Sequence, residues 1–160
     1  MPSDIAFASC AFNAKPDAVN IWIGGVKSIS SLHRDPYENV YTVISGKKIF
    51  KLFPPTGRSK ILYREFDVVR CHYDSGKWTR LPEPGIESVK WIEHGADGVD
   101  LEPMIVELHP GETLYLPAGW FHQVHQIDCT IAVNYWYDRS YDQHYTKEKF
   151  IDQLVELIHD

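Results

Sequence analysis

Short runs in which apolar and polar residues alternate occupy the first and last thirds of the chain, and this pattern predicts β-strands. Asn39 to Ile44 and Lys48 to Phe53 flank the turn pair Ser45-Gly46, which predicts a β-hairpin. Eight strands are predicted in all, over residues 18–25, 26–32, 39–44, 48–53, 104–108, 113–116, 120–126 and 129–137. Many short strands separated by Gly and Pro turns favour a mostly β fold, either a sandwich or a barrel.

The middle of the chain and its C-terminus break this pattern. Residues 57–103 mix charges, Gly and Pro with the isolated aromatics Trp78 and Trp91, and they predict a long, partly ordered insertion of a functional kind. A C-terminal α-helix over about 146–159 is predicted with Thr146 as its N-cap. Its apolar residues recur at helical spacing, namely Phe150, Ile151, Leu154, Val155 and Ile158.

Length and charge limit the number of domains and the kinds of partner. A chain of 160 residues is expected to form one domain, residues 1–160, with core strands over about 18–56 and 104–138. The net charge is −6 and no run of five like charges occurs, which argues against a nucleic-acid or anionic-membrane surface. Met1 to Ala18 has neither a basic start nor an apolar centre, so no secretory signal is expected.

The cysteines indicate a reducing compartment. Cys10, Cys71 and Cys129 are three in number, far apart and without a C-x-x-C pair. A disulfide framework and a cysteine zinc site are therefore not expected. Three reduced thiols fit a protein of the cytoplasm, the nucleus or both.

A histidine and a carboxylate stand two residues apart at His33 and Asp35. On a strand, positions i and i+2 face the same side, so both side chains can reach one ion. One more imidazole would complete the two-histidine, one-carboxylate set that binds non-haem Fe(II) with open positions. His-x-Asp alone is a weak signal, and it recurs at His72 and Asp74 inside the insertion, where no strand is predicted.

Four histidines of the second half compete for the third position. His109 lies in a His-Pro-Gly turn and is expected to face solvent, and His144 lies in a polar stretch before the helix. His122 and His125 share one strand but face opposite sides, because their separation is odd. His122 is favoured, since it shares a face with Trp120 and Val124, and His125 is kept in reserve.

Two polar residues interrupt apolar strands. Lys48 follows His33 by fifteen residues and stands in a strand that otherwise reads Ile49, Phe50 and Leu52. It either extends to solvent beside Lys47 or binds the carboxylate of a small acid, because an unpaired buried cation is unfavourable. Asn134, in a strand rich in aromatics, is either a hydrogen-bonded core amide or a second residue of the same site.

The segments SSLHRDPYENVYTVISGKKIFKLFPPT, ELHPGETLYLPAGWFHQVHQ and CTIAVNYWYD resemble Jumonji-C dioxygenases of the small hydroxylase branch. The resemblance is closest to members that hydroxylate lysyl side chains of GTP-binding proteins and carry a peptidase description. It runs from about Ala18 to the end of the chain. The family also has an N-terminal part before this segment, which the chain lacks.

The resemblance implies a double-stranded β-helix of the cupin and Jumonji-C type, with Fe(II) as metal and 2-oxoglutarate and O₂ as cosubstrates. It implies that His33, Asp35 and His122 bind the iron. Cosubstrate binding is implied for Lys48, on the far carboxylate of 2-oxoglutarate, and for Ser30, Asn39, Tyr41 and Asn134. A homodimer that pairs through the C-terminal helix is also implied, and the alternative is that this helix buries its apolar stripe on its own domain.

These features together predict an Fe(II)- and 2-oxoglutarate-dependent protein hydroxylase that acts on a lysyl side chain. One alternative is an N-methyl-lysine demethylase, which uses the same iron chemistry. A second alternative is a truncated barrel that binds metal or partners without turnover. A peptidase is not expected, because no nucleophile or zinc motif is present.

Overall fold

The computed structural model describes residues 2–159, and eight of its strands form two four-stranded antiparallel sheets that face each other. The strands are β1 (Ala18–Gly24), β2 (Ile29–Arg34), β3 (Tyr37–Ser45), β4 (Lys48–Phe53), β5 (Tyr63–Asp67), β6 (Val69–Asp74), β7 (Lys77–Pro82), β8 (Ser88–Ile92), β9 (Met104–Leu108), β10 (Thr113–Leu116), β11 (Phe121–Gln126) and β12 (Thr130–Asp138). The helices are α1 (Ala6–Phe12) and α2 (Gln143–His159).

The first sheet has the order β1-β12-β3-β10, and the second has the order β2-β11-β4-β9. Successive core strands cross from one sheet to the other, except where the insertion joins β4 to β9 within the second sheet. The mostly β double-stranded β-helix that the sequence predicts is confirmed. The core between the sheets takes side chains from both of them, namely Tyr41, Val43, Phe50, Leu52, Leu108, Leu116, Val124 and Ala132.

The predicted hairpin of β3 and β4 is wrong. β3 pairs with β10 and β12, whereas β4 pairs with β9 and β11 in the opposite sheet. Gly46 makes this crossing with φ +73°, and a Cβ there would lie 2.5 Å from the carbonyl oxygen of Cys129. The turn residues predict a tight reversal of the chain. Which strands pair depends instead on packing two sheets face to face over one core.

The insertion contains four strands where the sequence predicted none. It forms two antiparallel ribbons, β5 with β8 and β6 with β7. Ser75 and Gly76, with φ +49° and +84°, make the two-residue turn between β6 and β7. Ile61, Ile92 and the 3₁₀ turn at Ala96 pack the insertion onto the second sheet, in a cluster with Leu32, Phe53 and Phe121.

Helix α2 starts three residues before the predicted position. The Asp142 carboxylate accepts hydrogen bonds from the backbone N–H groups of His144 and Tyr145, at 2.8 and 3.2 Å, so Asp142 caps the helix. Thr146, the predicted cap, instead donates its hydroxyl to the Asp142 carbonyl. α1 was not predicted, because its seven residues carry no capping side chain.

The outer layers contact the barrel through different chemistry. α1 packs Ala8 and Phe12 onto the outer face of the first sheet, with the Phe12 ring 4.9 Å from that of Tyr137. α2 buries Asp152 and Val155 on the domain and leaves most of its apolar side chains exposed. Among residues 2–159, no helix is long and apolar enough to cross a bilayer.

Candidate metal centre

The ends of β2 and β11 bring two imidazoles and one carboxylate together. His33 and His122 are direct cross-strand neighbours, with ring centres 4.2 Å apart. The Asp35 Oδ2 atom lies 3.7 Å from His33 Nε2 and 3.6 Å from His122 Nε2. The structure therefore brings together the three residues that the sequence singled out, and within the described residues they form the one cluster of three potential ligands.

Backbone contacts orient both rings toward the carboxylate. His33 Nδ1 lies 2.6 Å from the Ser31 carbonyl oxygen, and His122 Nδ1 lies 3.0 Å from that of Trp120. With the protons on Nδ1, the Nε2 lone pairs face Asp35, which is the arrangement that metal-binding histidines require. We conclude that the local backbone sets the tautomer of each ring before any ion binds.

The electrostatics of the cluster suit a cation. Burial, together with the neighbouring His33, lowers the pKa of His122 to about 4, so its ring is neutral near pH 7. Burial raises the pKa of Asp35 against the opposing attraction of His33. Two imidazoles and one carboxylate form the set that binds non-haem Fe(II), so these residues fit that ion.

The triad opens into a cavity between the two sheets. Four of the residues predicted to bind cosubstrate line this cavity with the triad, and these are Ser30, Asn39, Tyr41 and Asn134. Four further residues line the cavity and were not predicted to belong to the site, namely Trp22, Phe50, Val124 and Trp136. The sequence did contain a signal for Trp22 and Trp136. Each tryptophan lies two positions along its strand from an asparagine that faces inward, so it shares that inward face.

Hydrogen bonds connect three of the lining side chains in a row. Trp22 Nε1 donates to Asn134 Oδ1, and Asn134 Nδ2 donates to Asn39 Oδ1, both at 3.0 Å. Asn134 is thus both a hydrogen-bonded core amide and a wall of the cavity. Asn20 Nδ2 and Trp136 Nε1, on the same sheet, are also buried donors and have no hydrogen-bond partner within residues 2–159. Unpaired buried donors are unfavourable unless a polar ligand or water reaches them.

Lys48 is buried, with only 4% of its surface exposed, so the alternative in which it extends to solvent is wrong. Its Nζ lies 5.7 Å from the centre of the Tyr41 ring, although Lys48 itself is not among the cavity-lining residues. Burial lowers the pKa of its ammonium, and no carboxylate of the described residues opposes that effect. Lys47 instead reaches the surface and pairs with Glu107 at 3.0 Å.

The remaining candidate histidines lie away from the triad. His125 Nε2 lies 2.6 Å from Gln123 Nε2, on the opposite face of β11 from His122. His109 is exposed and lies near Glu107, and His144 is exposed in the first turn of α2. His72 lies within β6, so the expectation that no strand surrounds it is wrong, but its side chain is exposed.

Comparisons with known proteins agree with this geometry. A family model described as a cupin-like domain matches residues 2–143. The human protein "Bifunctional peptidase and (3S)-lysyl hydroxylase JMJD7" is 37% identical over 97% of this chain and 52% of its own length. The Arabidopsis thaliana protein "Lysine-specific demethylase JMJ32" is 35% identical over 95% of this chain and 50% of its own length.

The chain spans about half the length of these curated relatives. Among solved structures, E. coli YcfD is 16% identical, with a TM-score of 0.48 over 88% of this chain and 30% of its own. That likeness is too distant to indicate a function. The family model and the two relatives are sufficient on their own: the chain belongs to the cupin-like family, as a JmjC domain, and the cofactors of that family are Fe(II) and 2-oxoglutarate.

Proposed function

We propose that this chain is an Fe(II)- and 2-oxoglutarate-dependent oxygenase that hydroxylates a lysyl side chain of a protein substrate. The observation that carries the proposal is the convergence of His33, Asp35 and His122 at a cavity near the buried, unpaired Lys48. The 37% identity to JMJD7, which is described as a lysyl hydroxylase, supports the lysyl substrate.

In this proposal, the triad holds the metal through His33 Nε2, His122 Nε2 and an Asp35 carboxylate oxygen. Three protein ligands leave positions open for the cosubstrates. A bound Fe(II) would supply the chemistry by which one atom of O₂ enters a substrate C–H bond, while the other oxygen atom would go to succinate as 2-oxoglutarate loses CO₂. The contribution of the chain is to orient both imidazoles through the carbonyls of Ser31 and Trp120, so that the site needs little rearrangement on binding.

Lys48 is proposed to bind the far carboxylate of 2-oxoglutarate. A buried ammonium without a counter-ion is unfavourable, and a carboxylate ligand would supply the missing charge. Charge-assisted hydrogen bonds are also stronger than neutral ones. The pairing would therefore fix the far end of the cosubstrate, while its other end reaches the triad.

Four lining side chains are proposed to complete the cosubstrate pocket. Ser30 and Tyr41 supply hydroxyl groups, and Asn39 and Asn134 supply amides that their mutual hydrogen bond already holds in place. Phe50 and Val124 are apolar and limit access of water to the pocket, which strengthens polar contacts inside it.

A lysine demethylase is the second candidate, and the 35% identity to JMJ32 favours it. The same triad serves both reactions, because hydroxylation of an N-methyl group leads to its loss. Mass spectrometry of the product peptide distinguishes them: a hydroxylase adds the mass of one oxygen atom, whereas a demethylase removes a methyl group. A barrel that binds metal without turnover would do neither.

The test begins with the purified full chain under anaerobic conditions. Binding of Fe(II) and then of 2-oxoglutarate is measured by titration, and air is admitted while succinate is quantified. We expect binding of both and succinate release that depends on Asp35. Binding without succinate release, with lysyl peptides present, would support the inert barrel instead.

We further propose that the chain encounters its substrate protein in the cytoplasm or the nucleus. GTP-binding proteins are the first class of substrate to test. The three cysteines are all free and exposed, which suits a reducing compartment. Incubation with recombinant GTP-binding proteins and peptide mapping of new oxygen-containing lysines checks the class. Fluorescence microscopy of the tagged full chain checks the compartment.

A further inference from the structure

Arg34 separates the two triad residues of the His-x-Asp sequence, and its side chain contacts α2 instead of the cavity. Arg34 Nη2 donates to Asp152 Oδ2 at 2.6 Å, and Nη1 donates to Glu148 Oε1 at 3.4 Å. Its guanidinium also lies over the Phe121 ring, 5.0 Å from the ring centre. Since Phe121 directly precedes His122, one side chain contacts both segments that carry the triad.

Glu148 contacts the same two segments from the helix side. Its carboxylate packs on Gly119, where an added Cβ would lie 2.8 Å from Oε1. Gly119 has φ +81°, and its N–H donates to the Asp35 carbonyl at 2.9 Å. Glu148 thus packs against the turn at Gly119, which donates a hydrogen bond to the Asp35 carbonyl and leads into β11.

These contacts are largely shielded from water. The side chains of Arg34, Glu148 and Asp152 are 18%, 14% and 11% exposed. Arg58 and Arg139 complete the network, with Arg58 Nε 3.4 Å from Asp152 Oδ1 and Arg139 Nη2 2.8 Å from Glu148 Oε2. Removing one partner from such a network leaves a shielded charge without compensation, so the network resists displacement of α2.

No residue of α2 lines the triad cavity among the described residues, so the helix can influence the metal site only through other groups. We propose that Arg34, Glu148 and Asp152, which we call the α2 brace, are positioning residues that hold His33, Asp35 and His122 in metal-binding geometry. The proposal rests on the proposed function for the identity of the metal site. It assigns the last helix a part in metal binding that its sequence gives no sign of.

The test uses the full chain and four variants, Arg34→Met, Arg34→Lys, Glu148→Gln and Val133→Ala. Val133→Ala is the matched control, because it removes buried volume on the outer face of the first sheet, away from the brace. Co(II) binding is titrated anaerobically at a temperature at which circular dichroism shows every variant folded. We expect Arg34→Met and Glu148→Gln to bind Co(II) at least about tenfold more weakly than wild type, Arg34→Lys to fall between, and Val133→Ala to match wild type.

A second measurement needs no metal. In the metal-free chain, amide hydrogen exchange at Gly119 reports the hydrogen bond to the Asp35 carbonyl. We expect it to accelerate about tenfold in Arg34→Met and Glu148→Gln but not in Val133→Ala. Unchanged exchange and unchanged Co(II) affinity in the brace variants would overturn the brace. A wild-type chain that binds no Co(II) would overturn the proposed function, and the exchange data would then still decide about the brace.

Discussion

The ammonium of Lys48 lies 5.7 Å from the centre of the Tyr41 ring, buried between the two sheets with no carboxylate of the described residues beside it. We predict that Lys48→Met weakens 2-oxoglutarate binding far more than metal binding. A charge-assisted hydrogen bond contributes about 1.5–3 kcal/mol, so the Kd should rise roughly ten- to a hundredfold. Calorimetric titration of 2-oxoglutarate into the Co(II)-loaded chain checks this, and an unchanged Kd would remove Lys48 from the site.

The same buried ammonium should make stability depend on pH. Burial lowers the pKa of Lys48 in the folded state below the ordinary value of 10.5. Between those two pKa values the unfolded chain binds more protons, so the free energy of unfolding rises with pH there. We predict that wild type gains stability relative to Lys48→Met as pH rises toward 10.5. Urea unfolding of both ligand-free proteins over a pH series measures the difference, and a constant difference would contradict the prediction.

Substitutions in the two His-x-Asp sequences should have opposite outcomes. We predict that His33→Ala, Asp35→Ala and His122→Ala each abolish Fe(II) or Co(II) binding, because each removes one of three converging ligands. His72→Ala and Asp74→Ala lie on the exposed β6 ribbon and serve as controls that keep wild-type affinity. Equal loss of metal in the His72→Ala variant would refute the assignment of the triad.

A methyl group at Gly119 should perturb the fold and the triad together. Gly119→Ala places a residue with φ +81° in the left-handed region and brings its Cβ to 2.8 Å from Glu148 Oε1. Gly111→Ala is the control, since Gly111 has φ +88° but open space around it. We predict that both lose about 1–2 kcal/mol of stability from backbone strain. Gly119→Ala should lose more and also bind Co(II) more weakly, as thermal unfolding and titration will show.

The exposed face of α2 provides a prediction about self-association. Phe150, Leu154 and Ile158 are 59%, 42% and 77% exposed, so they do not dock on their own domain. We predict that the chain forms a two-fold dimer through this face, in which each substitution acts twice. Leu154→Arg should therefore give a monomer by light scattering and leave circular dichroism unchanged. A wild-type chain that remains monomeric at high micromolar concentration would refute the dimer.

The core strands and the candidate metal ligands could be predicted from the sequence, because strand formation and side-chain facing depend on neighbouring residues. Alternation with period two located the eight core strands to within a few residues, since side chains on a strand alternate between faces. The same rule separated His122 from His125, whereas Asp35 follows the last residue of β2 and reaches the two histidines from the β2–β3 connection. The resemblance to a family then implied a role for Lys48 and gave four of the lining residues as candidates, namely Ser30, Asn39, Tyr41 and Asn134.

Strand partners and the surroundings of each site were decided by the tertiary structure. The residues between β3 and β4 predict a reversal of the chain. The two strands nevertheless belong to different sheets, because each buries its inner face against the core between the sheets. Whether Lys48 reaches solvent depends on the side chains across the barrel, which a single strand does not contain. The sequence around Arg34 indicates only a charged side chain that faces outward. Because α2 packs against β2, Arg34 contacts both segments that carry the triad. The sequence therefore determined the residue types and their faces. Long-range packing determined their partners, because those contacts join segments that are far apart in the chain, such as Arg34 and Asp152, which are 118 residues apart.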